Sequence, residues 1–220
     1  MGRPEAERSC QARCVDRKTP FTHQAPTKKG THMSSIVAIS GSLRRGSFNT
    51  ALLRAARDLA PSNSSIEIAS IFEFPLYNAD LEKAEGIPDP VVRLKERLMS
   101  SKGLLVASPE YNSSLPGVLK NALDWLSRPP KDVKTVFGDL PVGVIGATTG
   151  AGGTRLCQAA WLPVLRALHV RIFTQRSLLV SKASEVFDEN GALVDEKIRN
   201  LLTNYLLDFE AFTSTSTRGE

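Results

Sequence analysis

From Ile36 to Phe209 the chain repeats one pattern, a short apolar run followed by a longer stretch in which apolar residues recur every three or four positions. Uninterrupted apolar runs suit strands buried on both faces, and the longer spacing suits helices with one buried stripe. Their alternation predicts βα units and a parallel sheet. The expected strands are residues 36–40, 66–70, 103–107, 141–147 and a fifth within 171–180. The expected helices are 49–60, 88–101, 118–126, 155–168 (with Pro163 inside it) and 195–209. In the last of these Ile198, Leu201, Leu202, Tyr205, Leu206 and Phe209 share one face.

A chain of 220 residues has room for one domain with a proper core. Five strands alternating with five helices predict an α/β fold: a three-layer sandwich, flavodoxin-like, with a five-stranded parallel sheet in the order 2-1-3-4-5 and helices on both faces. Ligands of such sheets bind outside the carboxyl ends of the strands, near the switch between strands one and three. The loops after strands one, three and four are therefore the candidates for function.

The net charge of +5 raises the question of a nucleic-acid partner. Residues 1–32 hold seven basic side chains (Arg3, Arg8, Arg13, Arg17, Lys18, Lys28, Lys29) against Glu5, Glu7 and Asp16, which is four of the five net charges. The remainder is nearly neutral, so no phosphate-tracking surface and no nucleic acid are expected. Residues 1–32 lack any helical or strand period and read as a disordered basic extension: a vector-derived leader, an upstream start or a targeting piece, with Met33 a plausible original start. The folded domain is expected over 33–212 and a disordered tail over 213–220. Three cysteines, Cys10 and Cys14 among them in the extension, make no disulfide framework and suit a reducing cytoplasm. No apolar run is long enough to span a bilayer, so no membrane partner is expected.

The first loop reads Gly41-Ser42-Leu43-Arg44-Arg45-Gly46-Ser47-Phe48-Asn49 and opens into a helix. Helix-start N–H groups, the Ser42 and Ser47 hydroxyls, the Asn49 amide and the Arg44 guanidinium suit an anion, and no acidic residue intervenes. By itself the loop is either a phosphate cradle or an N-capped turn with a surface arginine. Its glycines are five apart, unlike the dinucleotide G-x-G-x-x-G, and Ser47 stands where the triphosphate-binding loop needs lysine. That disfavours a nucleotide hydrolase. The second loop, 108–117, is stiffened by Pro109 and Pro116 and carries Glu110, Tyr111, Asn112, Ser113, Ser114 and Leu115, groups that suit the rim and face of a fused ring; alternatively Tyr111 and Trp125 only pack. The third, Thr148-Thr149-Gly150-Ala151-Gly152-Gly153-Thr154, lets backbone approach a ligand or is a flexible turn.

Together these loops, in this order and each after its expected strand, resemble the NADPH-dependent FMN reductase family, and within it the bacterial quinone and chromate reductases. The matching pieces are GSLRRGSFN at 41–49, PLYNADLE at 75–82, PEYNSSLPGVLKNALDWLSRP at 109–129 and TTGAGG at 148–153. The resemblance implies that Ser42, Arg44, Ser47 and Asn49 bind the FMN phosphate. It implies that Pro109, Glu110, Tyr111 and Asn112 line the ribityl chain and isoalloxazine, largely through backbone, with Ser113 and Leu115 beside them, and that Thr149, Gly150 and Gly153 close the other edge. Ser113 and Ser114 depart from the larger or aromatic residue that relatives often have there. The family also implies a homodimer or homotetramer with the site near the subunit boundary, where PLYNAD contributes.

The implied activity is a ping-pong transfer of hydride from NADPH or NADH through FMN to a small-molecule electron acceptor: a quinone, azo or nitro compound, or chromate. The cofactor carries the chemistry, and no side-chain catalyst is expected. His23, His32 and His169 are scattered and Cys157 is isolated, so no metal site is expected. The competing expectation is a flavodoxin-like FMN-binding carrier or sensor that does not turn over NAD(P)H.

Overall fold

The computed structural model describes residues 34–215, so the expected extension over 1–32 and residues 216–220 lie outside the described residues. Among the described residues the strands are β1 (Ser34–Ser40), β2 (Ser64–Ala69), β3 (Gly103–Ala107), β4 (Pro141–Ala147), β5 (Arg171–Ile172) and β6 (Leu178–Val180). They form one parallel sheet in the order β2-β1-β3-β4-β5, with β6 also pairing β4. The helices are α1 (Phe48–Asp58), α2 (Ala79–Glu85), α3 (Asp89–Ser100), α4 (Gly117–Leu126), α5 (Val133–Phe137), α6 (Arg155–Ala167), α7 (Ala183–Val186) and α8 (Glu196–Ser214).

Strand side chains alternate between faces, and each face has its own helical cover. Ile36, Ala38, Leu105 and Ile145 pack against Leu52 and Leu53 of α1 and Leu202, Leu206 and Phe209 of α8. Val37, Ile39, Leu104 and Val106 pack on the opposite face against Leu94 and Leu98 of α3, Leu123 of α4 and Trp161 of α6. Each large apolar side chain buried this way contributes about 1.5–3 kcal/mol. The flavodoxin-like sandwich is thus built as its apolar patterning predicts.

Two expectations need correction. The fifth strand is broken: Arg171 and Ile172 pair with Pro141 and Val142, pairing resumes at Leu178 with Ile145, and residues 173–177 stand opposite only Gly143 and Val144. The surplus residues, polar from Thr174 to Ser177, leave the ladder, and the buried Tyr205 hydroxyl donates to the Val144 carbonyl (3.4 Å) beside the gap. The last helix also runs to Ser214, past its expected end at 209, because Thr213 is buried against Gly103, where a Cβ would lie 2.9 Å from the Thr213 methyl.

Gly143 has no room for a side chain, since a Cβ there would sit 2.7 Å from the Tyr205 hydroxyl and 3.2 Å from the Phe209 ring. Gly143→Ala is expected to destabilise the fold by about 1–3 kcal/mol, read as a lower urea midpoint at unchanged slope.

Candidate functional site

The loops after β1, β3 and β4 meet at the carboxyl edge of the sheet through close backbone packing. Gly41 donates its N–H to Ala107 (2.8 Å), and a Cβ on it would fall 2.9 Å from Pro109 and 3.0 Å from Pro116, so only glycine lets the first loop lie against the second. Gly146 likewise has no space for a Cβ, which would collide with the Ser108 carbonyl and the Thr154 hydroxyl. Ser108 is fully buried, donates its N–H to Ile145 (2.9 Å) and accepts from the Trp161 indole (2.9 Å).

The first loop turns on Ser40, whose hydroxyl bonds both the N–H and the carbonyl of Ser42 (3.3 Å each) and accepts from the Thr50 hydroxyl (3.0 Å). Ser47 caps α1, accepting from the Thr50 N–H (3.2 Å), which leaves the N–H groups of Phe48 and Asn49 without intrahelical acceptors. Ser42 is 6% exposed, and its hydroxyl oxygen is buried with no hydrogen-bond partner. Burying such a group unpaired costs about 1–3 kcal/mol, so this oxygen fits a polar ligand beside the helix start. The Arg44 guanidinium lies over the Phe48 ring (5.1 Å), and that ring stacks on Phe187 (5.9 Å), which steers the cation while leaving it exposed.

Asn49 is used differently from its implied role. Its side-chain amide is 3% exposed, donates to the Ala147 carbonyl (2.9 Å) and accepts from the Ala147 N–H (3.0 Å), so it braces α1 against the end of β4. Its main-chain N–H, in the first turn of α1, has no intrahelical acceptor. The Glu110 carboxylate is also committed, accepting from the Cys157 N–H (3.0 Å) in the first turn of α6, whose own N-cap residue Thr154 makes no side-chain cap. The negative charge suits the positive end of that helix dipole.

In the second loop Tyr111 and Ser114 bond each other's backbone in both directions (3.1 and 3.0 Å) around Asn112 and Ser113, whose φ angles are +49° and +59°. Two left-handed central residues define a tight primed turn, and its base holds Tyr111 half-exposed. Leu115 is partly buried below it and packs toward the core. Thr149 and Gly150 are exposed on the third loop, which Thr148, Gly150 and Lys182 tie to the end of β6. Gly153 is buried at φ +65°, with Leu179 3.1 Å from where a Cβ would stand. The three loops named from the sequence thus meet at one edge of the sheet, and the braces Ser40, Thr50, Ser108 and Trp161 carry no motif that marks them along the chain. A serine pattern cannot distinguish a ligand-facing hydroxyl from one spent inside the loop.

The PLYNAD segment is fastened to α4. Asn121 accepts from the Tyr77 N–H (2.8 Å) and donates to the Pro75 carbonyl (2.9 Å), which also accepts from the Trp125 indole (2.8 Å). Trp125 is buried and meets Tyr77 edge-on (5.0 Å). Glu82 accepts from both the Arg128 guanidinium (2.8 Å) and the Tyr77 hydroxyl (3.0 Å). The Arg128 hydrogen bond is the main reason the Glu82 carboxyl sits below its usual range, while burial and the Glu82 bond push the Tyr77 phenol up.

Burial first, with Glu110 adding to it, pushes the Cys157 thiol up, so it is a poor nucleophile. His169 ends α6 in a left-handed conformation (φ +57°), a structural post. Among the described residues there is no cluster suited to a metal and no helix long and apolar enough to cross a membrane.

A glycine-tight three-loop edge lies at the carboxyl ends of the strands, where flavodoxin-like sheets bind their ligands, with an unpaired buried hydroxyl in its first loop. The model of the NADPH-dependent FMN reductase family matches residues 34–185, and the chain belongs to that family, an oxidoreductase whose cofactor is FMN. It is 42% identical over 171 residues to an NAD(P)H-dependent FMN reductase of Pseudomonas aeruginosa, covering 78% of this chain and 90% of the relative. It is 39% identical over 182 residues to an NADPH:quinone oxidoreductase of Arabidopsis thaliana, covering 81% and 91%. The solved structure of FerB, a flavoenzyme NAD(P)H:(acceptor) oxidoreductase from Paracoccus denitrificans, superposes with a TM-score of 0.75 at 30% identity, covering 83% of this chain and 98% of that one.

Because the Glu82 pKa is depressed in the fold, its contribution is present above the ordinary glutamate pKa and is lost as pH falls through the lower folded value. The Tm deficit of Glu82→Gln is therefore expected to stay constant from about pH 7 to about pH 5 and to shrink as pH falls further toward about 3, followed by differential scanning fluorimetry. Asn49→Ala removes two buried hydrogen bonds and is expected to cost about 2–4 kcal/mol of stability, by chemical denaturation.

Proposed function

We propose that this chain is an NAD(P)H-dependent quinone reductase in which Ser42, Arg44, Ser47 and the N–H groups of Phe48 and Asn49 hold the FMN phosphate. The observation that carries the reading is the buried, unpartnered Ser42 hydroxyl beside the capped start of α1, a donor set matched to a phosphate. In this reading Pro109, Glu110, Tyr111 and Asn112 border the ribityl chain and ring mainly by backbone, with Ser113 and Leu115 beside them. Thr149, Gly150 and Gly153 lie along the opposite edge. The side chain of Glu110 acts at one remove, by holding the start of α6.

When bound, FMN supplies the two-electron chemistry, taking hydride from NAD(P)H and passing electrons to an acceptor. The chain's own work is to bind and orient. Gly41 and Gly146 let the three loops close without side chains between them, and the primed turn keeps Tyr111 at the rim. No side chain needs to move a proton as acid or base. Quinones are the first acceptors in this reading, supported by the quinone oxidoreductase among the relatives. Azo and nitro compounds and chromate are further oxidants of the same centre.

The chain acts as a homodimer or homotetramer, a reading supported by Leu76, 82% exposed on a segment that Asn121 and Trp125 hold rigid. Cytoplasmic action is part of the same reading, supported by the free, buried Cys157.

Arg44→Ala is expected to weaken FMN retention by about 1.5–3 kcal/mol, measured by fluorescence titration of the flavin. In the unsubstituted protein, anaerobic NADPH or NADH should bleach bound FMN at about 450 nm. Binding without bleaching points instead to a carrier or sensor, and no flavin binding ends both readings.

A further inference from the structure

A cavity of about 270 Å³ opens on the outer side of the first loop, between the start of α1 and the end of β2. Arg44, Arg45 and Arg54 line it, together with the apolar walls Leu43, Ile71 and Phe72. Among the described residues no acidic side chain lines it, and none of the three arginines makes an ion pair. Phe72 is 71% exposed, a large aromatic face turned to solvent. Arg54 follows Thr50 by one helical turn, and Thr50 is tied to Ser40 at the end of β1 (3.0 Å), so the guanidinium belongs to the cavity's helical wall. Ser42 and Arg44, which the proposed FMN phosphate site uses, border it as well, so Arg45 and Arg54 are the cations left for a second ligand.

We propose that this cavity takes the 2′-phosphoadenosine end of NADPH, with Arg45 and Arg54 selecting the 2′-phosphate. The site rests on the reductase reading and names the donor that reading leaves open. A phosphomonoester carries about 1.5–2 negative charges near neutral pH and matches the guanidinium fork. No carboxylate lines the cavity to pair with a free 2′-hydroxyl, whereas its arginines offer charge to a 2′-phosphate. Leu43, Ile71 and Phe72 give a purine an apolar face. The volume lies just under the range of whole-ligand pockets, from about 300 Å³ upward, which suits one end of a dinucleotide. The larger cavity on the other flank of α1, about 550 Å³, shares Arg45 and Arg54 but adds Asp188 and Glu189, which oppose a phosphate.

The test is calorimetric titration of the FMN-loaded protein with adenosine 2′,5′-bisphosphate and with AMP, for the unsubstituted chain and for Arg45→Gln and Arg54→Gln. Steady-state KM values for NADPH and NADH are measured beside it. Both substitutions fall on exposed positions and leave the core untouched. The bisphosphate should bind at least about tenfold tighter than AMP, and each variant should lose most of that preference while its KM ratio of NADPH to NADH rises about tenfold. Equal affinity for the two probes, or an unchanged preference in both variants, overturns the assignment. Loss of FMN on the scale of Arg44→Ala would place these arginines in the cofactor site and overturn it as well. If neither donor bleaches the flavin, the reductase reading falls and this site with it; bleaching combined with equal probe affinities overturns the site alone.

Discussion

The side-chain amide of Asn49 grips both the main-chain N–H and the carbonyl of Ala147 from the first turn of α1. β1, which leads into α1, and β4, which ends at Ala147, are separated in the sheet by β3. The clamp therefore ties the first and third functional loops together across the strand that carries the second. Its two hydrogen bonds are buried, so an alternative arrangement leaves an amide and a peptide unpaired in the interior. The other loop contacts, Gly41 against Pro109 and Gly146 against Ser108, bring the same three loops together at glycines where a Cβ has no room.

The site is consequently a surface of backbone and small polar groups with little side-chain freedom. Prolines, capped turns and glycines hold it, and the charged residues nearby divide into two kinds. Glu110 and Glu82 are spent on holding structure, one at the start of α6 and the other between Tyr77 and Arg128. Arg44, Arg45 and Arg54 are exposed and make no ion pair among the described residues, which leaves their charge for the anionic ligands proposed above. A redox cofactor needs this division, because the protein contributes orientation and charge selection while the ring supplies the electrons.

Legibility of the fold followed the strength of the apolar pattern. The strands from β1 to β4 and the long helices announce themselves through continuous or periodic burial. α2 did not, because it buries none of its residues and is started by an Asn78 cap with no apolar stripe to follow. The break between β5 and β6 is visible afterwards as the polar stretch from Thr174 to Ser177, but a polar stretch inside an apolar run does not say how many partner residues it spans. That number depends on the register with β4.

The sequence by itself determined the layer order, the three loops at one edge of the sheet and the residue types suited to a phosphate and a fused ring. These follow from periodicity, loop position and local backbone chemistry. Only the tertiary structure decided which polar groups remain available. Ser42, Ser47 and Asn49 look equivalent along the chain, yet folding spends Ser47 on a helix cap and Asn49 on a distant peptide, and leaves the Ser42 hydroxyl buried and unpaired. The partner that separates a brace from a ligand group can lie 98 residues away, as Ala147 does from Asn49, and hydrogen bonds over that separation are set by packing the sheet and its helices together.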